Sequence, residues 1–183
     1  CHHQRFMPAN KRVKELYESG ELGKLYMIHE TRTIDYFDSK RPKWFLDKKT
    51  AGGGIVMNYG AHALDKIFSL TGHNKAEVTA LVDNVKNDAT IEGHAQILLK
   101  FEDGLTATIT FSGYIGTGYE TTYYFTDGAA KVSGGANLFL RYRGGSWEKQ
   151  ELTGQSNEYQ LEEFCKLVRG EASEIATPQY SRQ

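Results

Sequence analysis

Between Glu77 and Gly144 the chain reads EVTALVDN, HAQILLKF, LTATITFSG, TTYYFTD, AAKVSG and NLFLRYRG, a run of β-rich strings parted by turn residues. No other feature constrains the fold as strongly. β-branched and aromatic residues at this density suit a pleated, half-buried surface. Phe101-Glu102-Asp103-Gly104-Leu105, and Asp127-Gly128 between Thr121 and Val132, are hairpin signals, because short glycine-bearing turns fold one strand back on the next. In residues 105–111, Leu105, Ala107, Ile109 and Phe111 share one face, and Thr106, Thr108 and Thr110 the other. That alternation describes a strand with one face on helices and one left partly polar. About six antiparallel strands are expected.

Helical patterns flank the run. Residues 8–20, PANKRVKELYESG, place Pro8 in a first turn, Gly20 past the end, and Val13, Leu16 and Tyr17 on one stripe. Residues 22–34 alternate as a strand, with Tyr26, Ile28 and Glu30 on one side and Leu25, Met27 and His29 on the other. Residues 35–54 form a long connection without helical or strand period, and ordered loops longer than about 12–15 residues are more often functional than idle. A helix follows from Gly54 to Thr71. Another closes the region over residues 156–169, with Ser156 as its cap and Gly170 as its stop. The segregation predicts an α+β fold: one large, predominantly antiparallel β-sheet with helices packed on one face. Its Thr- and Tyr-rich opposite face is solvated or paired with a partner.

At 183 residues the chain is long enough for one domain and short for two. A net charge of -1 with no Lys/Arg block gives no surface for nucleic acid or an anionic membrane. No apolar run approaches the roughly 18 residues of a membrane span. Cys1 and Cys165, at opposite ends, form no disulfide framework, which suggests a reducing, cytoplasmic setting. The opening CHHQRF reads as the middle of a longer protein.

The helix beginning AGGGIVMNYGAHALD is chemically unusual. At about 100° per residue, Asn58, His62, Asp65 and Ser69 fall on one stripe. Met57, Ala61, Leu64 and Phe68 flank it on one side, and Val56, Ala63, Ile67 and Leu70 on the other. Apolar flanks on both sides predict a largely buried helix whose polar stripe faces a partner, a wet cleft or a ligand. The stripe is either a buried hydrogen-bond cluster or a site. Asp65 suits a structural tether, and His62 suits proton exchange near neutral pH. The glycines permit a sharp turn or a close approach. They are not a dinucleotide fingerprint: Gly52 and Gly54 match its first two glycines, but Met57 stands third and no strand precedes. Metal-ligand spacing is absent, since there is no HExxH and Cys1-His2-His3 is isolated. No GxSxG elbow supports a nucleophile.

HHQRFMPANKRVKELYESGELGKLYMI, then RPKWFLDKKTAGGGIVMNYGAHALDKIFSLTG, FEDGLTATITFSG and TDGAAKV, resemble the C-terminal domain of the glucose–fructose oxidoreductase / inositol dehydrogenase (Gfo/Idh/MocA-type) family. The resemblance implies a dihydrodipicolinate-reductase-like domain over residues 1–183, for substrate binding and oligomerisation, with its open sheet face making a homo-oligomer. It also implies an N-terminal Rossmann domain, outside these residues, that binds most of an NAD or NADP cofactor. The implied activity is oxidation or reduction of a sugar, inositol or related polyol, with the fragment alone inactive. His62 matches the family's proton-transfer histidine, and Asn58 stands where many members carry Asp. On this basis His62 and Asn58 are expected to be catalytic, and Gln4, Arg5 and Asp65 to bind substrate. Arg41 and Trp44 are expected at the cofactor, although Arg5 and Trp44 also suit domain packing. The alternative is a non-catalytic regulator or assembly subunit that binds a sugar or nucleotide.

Overall fold

The structure is a computed structural model that describes residues 2–85 and 88–182. Eight strands form one sheet: β1 (Leu25–Thr33), β2 (Glu77–Asp83), β3 (His94–Lys100), β4 (Thr106–Ser112), β5 (Gly118–Phe125), β6 (Gly128–Ser133), β7 (Asn137–Tyr142) and β8 (Glu148–Gln150). Their order is β2-β3-β4-β1-β5-β6-β7-β8. Every pairing is antiparallel except β1 with β4. The six strands read from the β-rich run are therefore joined by two others. β8 has three residues, too few to show a period, and pairs only with β7. β1, from the N-terminal side, is inserted between β4 and β5, which are consecutive in sequence.

That insertion is held by the crossing loop. Thr33 Oγ1 accepts from the Thr117 and Gly118 amides, each at 3.0 Å. The Ile34 and Tyr36 amides donate to Ser112 O and Gly113 O, each at 2.9 Å. A register irregularity between Leu25 and Met27 changes the expected faces of β1. Leu25, Ile28 and Glu30 point to the helices, while Tyr26 and His29 are exposed. The alternation read from sequence grouped Tyr26 with Ile28 and Glu30, and Leu25 with Met27 and His29; the irregularity instead puts Leu25 on the side of Ile28 and Glu30, and Tyr26 on that of His29.

The helices cover one sheet face. α1 (Pro8–Ser19) starts with proline and ends at Gly20, φ 70°, burying Ala9, Val13 and Leu16. The long connection contains a 3-10 turn (Lys43–Leu46) and one α turn, α2 (Lys48–Ala51), whose Asp47 side chain accepts from the Lys49 amide. Both are too short to leave a period in the sequence. α3 (Ile55–Thr71) lies where expected; one flank is buried, and the other only in its second half, where Leu64 and Phe68 pack against the core. Ile55, Ala63, Ile67 and Leu70 enter the core with Ile28, Ala107, Ile109 and Phe111, whereas Met57 is 63% exposed and Ala61 is also open. α4 (Ser156–Val168) has Gln155 at its N-cap position, with no capping side chain, so Ser156 is its first helical residue and not its cap. No helix among the described residues is long and apolar enough to cross a membrane.

Candidate active site

The three glycines bring the start of α3 against Glu92. Gly52 has φ +81°, which closes α2. A Cβ on Gly54 would lie 2.1 Å from the Glu92 carbonyl oxygen, and one on Gly53 2.8 Å from Met57 Cβ. With no Cβ in the way, the Ile55 amide donates to Glu92 O at 3.2 Å and the Met57 amide to Glu92 Oε1 at 3.0 Å. A carboxylate of the chain itself thus satisfies the positive end of this helix. Gly54→Ala should destabilise the protein by about 2 kcal/mol or more, because the clash is with backbone and cannot be relieved by a rotamer. A denaturant midpoint within error of the parent would refute this.

One turn into α3, Asn58 is exposed and interacts with the hydroxyl of fully buried Tyr36. Burial raises the Tyr36 hydroxyl above its ordinary value, so it stays protonated. Arg41 lies 4.3 Å from the Tyr36 ring centre and 4.8 Å from that of Phe45. Trp44 meets Phe45 edge-on at 5.4 Å and is 57% exposed. The connection is thus an aromatic shelf beside the start of α3, with Arg41 pressed into it and Trp44 at its outer edge.

His62 is half-buried, one turn beyond Asn58. Its Nδ1 is sealed from solvent and has no hydrogen-bond partner. The rings of His3 and His2 approach it edge-on at 5.4 and 6.3 Å. Burial lowers its pKa from the ordinary 6.5, and the neighbouring His3, His2 and Arg32 lower it further. A neutral, half-buried imidazole can accept or return a proton.

The remaining expected residues are turned inward. Arg5 forms an ion pair with Asp65 through Nη2, adds Nε to Asp65 Oδ2 at 3.3 Å, and donates to Glu174 O at 2.7 Å. Its guanidinium sits 4.8 Å from the Tyr180 ring centre. Burial first, then Asp65, pushes the Tyr180 hydroxyl up to about 12. Gln4 is buried, with Oε1 accepting from the Tyr119 hydroxyl at 2.9 Å and its carbonyl from Asn10 at 2.8 Å. Gln4, Arg5 and Asp65, expected to bind substrate, all have polar partners within the chain. Arg5 and Asp65 tie the N-terminal 3-10 turn (His3–Phe6) to α3, and Gln4 ties it to β5 and α1.

Sequence reasoning missed the inner face of β1. Glu30 and Lys66 are 2% and 3% exposed and lie 2.6 Å apart. Lys66 Nζ also donates to the Tyr119 and Thr121 hydroxyls, each at 2.7 Å. Arg32, two residues on from Glu30, has its guanidinium carbon 4.4 and 4.0 Å from the ring centres of Tyr59 and Tyr119. The available signal was the strand period, which sets Ile28, Glu30 and Arg32 on a single face. Among the described residues no group of three or more His, Cys, Asp or Glu could hold a metal ion. Cys1 lies outside the described residues.

A family model described as the GFO/IDH/MocA C-terminal domain matches residues 10–134. A 1-carboxy-3-chloro-3,4-dihydroxycyclohexa-1,5-diene dehydrogenase of Comamonas testosteroni is 32% identical over 114 residues, covering 62% of this chain and 28% of that protein. Aldose-aldose oxidoreductase from Caulobacter crescentus, solved in complex with glycerol, has a TM-score of 0.81 at 20% identity, over 94% of this chain and 54% of its own. An inositol dehydrogenase homolog from Azotobacter vinelandii, complexed with NAD+, gives 0.74 at 16% identity, over 85% and 45%. At such identities the structural likenesses establish the fold. The chain spans less than a third of the Comamonas protein and about half of the two solved chains.

Proposed function

The chain belongs to the GFO/IDH/MocA C-terminal domain family, and from that premise we propose that it is the substrate-binding and proton-transfer half of a nicotinamide-dependent oxidoreductase. Its substrate is a sugar, inositol or related polyol. An N-terminal Rossmann domain outside these residues holds most of the NAD or NADP, which when bound exchanges a hydride with the substrate carbon. One observation carries the reading: the half-buried imidazole of His62, kept neutral because burial lowers its pKa, stands one turn from exposed Asn58. The Comamonas testosteroni relative is a dehydrogenase named for a dihydroxy compound, and the Azotobacter vinelandii neighbour carries NAD+, which is in keeping with it.

The residues divide the work. His62 takes the hydroxyl proton as the carbinol becomes a carbonyl, and returns it in reduction. Asn58 holds a neighbouring hydroxyl; its amide donates and accepts but carries no charge. Trp44, Met57 and Ala61 offer an exposed apolar surface beside that stripe, suited to the nicotinamide and the domain bearing it. The dinucleotide phosphates are held elsewhere, because Glu92 fills the α3 N-terminus that would otherwise attract them. Arg41 shapes the shelf under Trp44. The open sheet face, with Tyr26, Leu81 and Leu98 exposed on it, accepts a second copy.

The test is reduction of NAD and NADP by the intact protein across a panel of sugars and polyols, repeated with residues 1–183 alone. Turnover is expected from the intact protein only, and activity in the fragment would refute the division of labour. The pH profile follows from His62. With its value lowered, the acidic limb of kcat/KM for oxidation should have its midpoint below pH 6.5, as the base becomes protonated. Stability has the same sign: the unfolded chain takes this proton first as pH falls, so the loss begins near 6.5 and ends below the folded value. An acidic limb with its midpoint above 6.5 would exclude His62 as the base.

A further inference from the structure

The inner face beneath α3 carries three strong cations, and two of them are neutralised. Lys66 has Glu30 and Arg5 has Asp65. Arg32 has neither an ion pair nor a hydrogen bond to any described residue; its recorded partners are the two tyrosine rings. The guanidinium carbon lies 4.4 and 4.0 Å from the Tyr59 and Tyr119 ring centres, contacts that use its charge but none of its five N–H donors. A half-buried cation with its donor-bearing edge unfilled wants an acceptor, and a planar fork matches the two oxygens of a carboxylate or phosphate.

The location gives this edge a use. Tyr59 follows Asn58 directly on α3, and Tyr119 bridges Lys66 to Gln4. Arg32 is also near enough to His62 to act on its charge. The tyrosines fix the direction of the side chain, since Tyr119 is itself held by two hydrogen bonds. The nearby ring of His2, about 6 Å from His62, adds no negative charge.

We propose that Arg32 is a specificity residue that binds an oxyanionic substituent of the substrate, a carboxylate or a phosphate, while His62 and Asn58 engage its hydroxyls. The inference rests on the substrate-site reading above and narrows it from polyols in general to acidic ones. Uncharged sugars leave the guanidinium edge to water. Acidic ones exchange that water for a bidentate, charge-assisted contact.

The test measures binding to the intact protein by calorimetry, using matched pairs: gluconate with glucitol, galacturonate with galactose, and glucose 6-phosphate with glucose. At least one acid is expected to bind about tenfold or more tightly than its neutral partner, the size of a hydrogen bond to a charged group. The pair that responds tells carboxylate from phosphate. Arg32→Met keeps an apolar stem beside the rings, and should abolish the preference while changing neutral binding less than about twofold. Equal binding of every acid and its partner overturns the proposal. So does a preference that survives Arg32→Met, or a variant that weakens only NAD(P). Turnover in the same samples is scored separately: acid binding through Arg32 without any nicotinamide reduction upholds this assignment and refutes the dehydrogenase reading.

Discussion

In the intact protein, His62→Ala should lower turnover by about 10²–10⁴-fold if His62 is the proposed proton-transfer group. The melting temperature should move little. His62 is only half-buried and its Nδ1 makes no hydrogen bond, so truncation strands no partner. His62→Gln separates chemistry from shape, because the amide restores bulk and hydrogen bonding but not proton exchange. It should remain as slow as the alanine variant. The loss should appear in kcat and kcat/KM together, the mark of an interaction made in the transition state. A variant that retains activity, or that is slow only because it unfolds, removes His62 from the reaction.

Lys66→Ala has the largest expected effect on stability, a loss of about 3–5 kcal/mol. Glu30 is 2% exposed, and Lys66 is the cation paired with it. Removing the ammonium leaves a carboxylate out of water without its counterion, and takes a donor from Tyr119 and Thr121 as well. The paired replacement Glu30→Leu with Lys66→Met should lie much closer to the parent, since burial of two charges costs about as much as their attraction returns. Denaturant unfolding followed by tryptophan fluorescence distinguishes the two. Similar losses in the single and double variants would mean that shape, not charge, holds β1 to α3.

The two predictions divide along the line between local and tertiary information. His62 could be chosen from sequence because a 3.6-residue period and a family motif both mark it. Glu30 and Lys66 lie thirty-six positions apart by their numbering, on elements that no local pattern joins. Lys66 reads as an ordinary helix cation until β1 is placed beneath it. The same holds for Arg5 and Asp65, separated by 60 positions. Each looks available for substrate, and each is the other's partner. The Met57 flank of α3 shows the converse error: apolar residues on two sides suggest burial, but Met57 and Ala61 are open and only Leu64 and Phe68 of that flank reach the core.

From residues alone came whatever depends on neighbours along the chain: α1 with its Pro8 and Gly20 ends, the full extent of α3, the hairpin at residues 101–105, and the clean alternation of β4. These follow from backbone geometry that repeats within a few positions. Tertiary structure alone decided the place of β1 between β4 and β5, the bulge that reverses Leu25 and Tyr26, the short β8, and the charge left over at Arg32. Those depend on which distant surfaces meet, and neither composition nor periodicity encodes the free energy of that meeting.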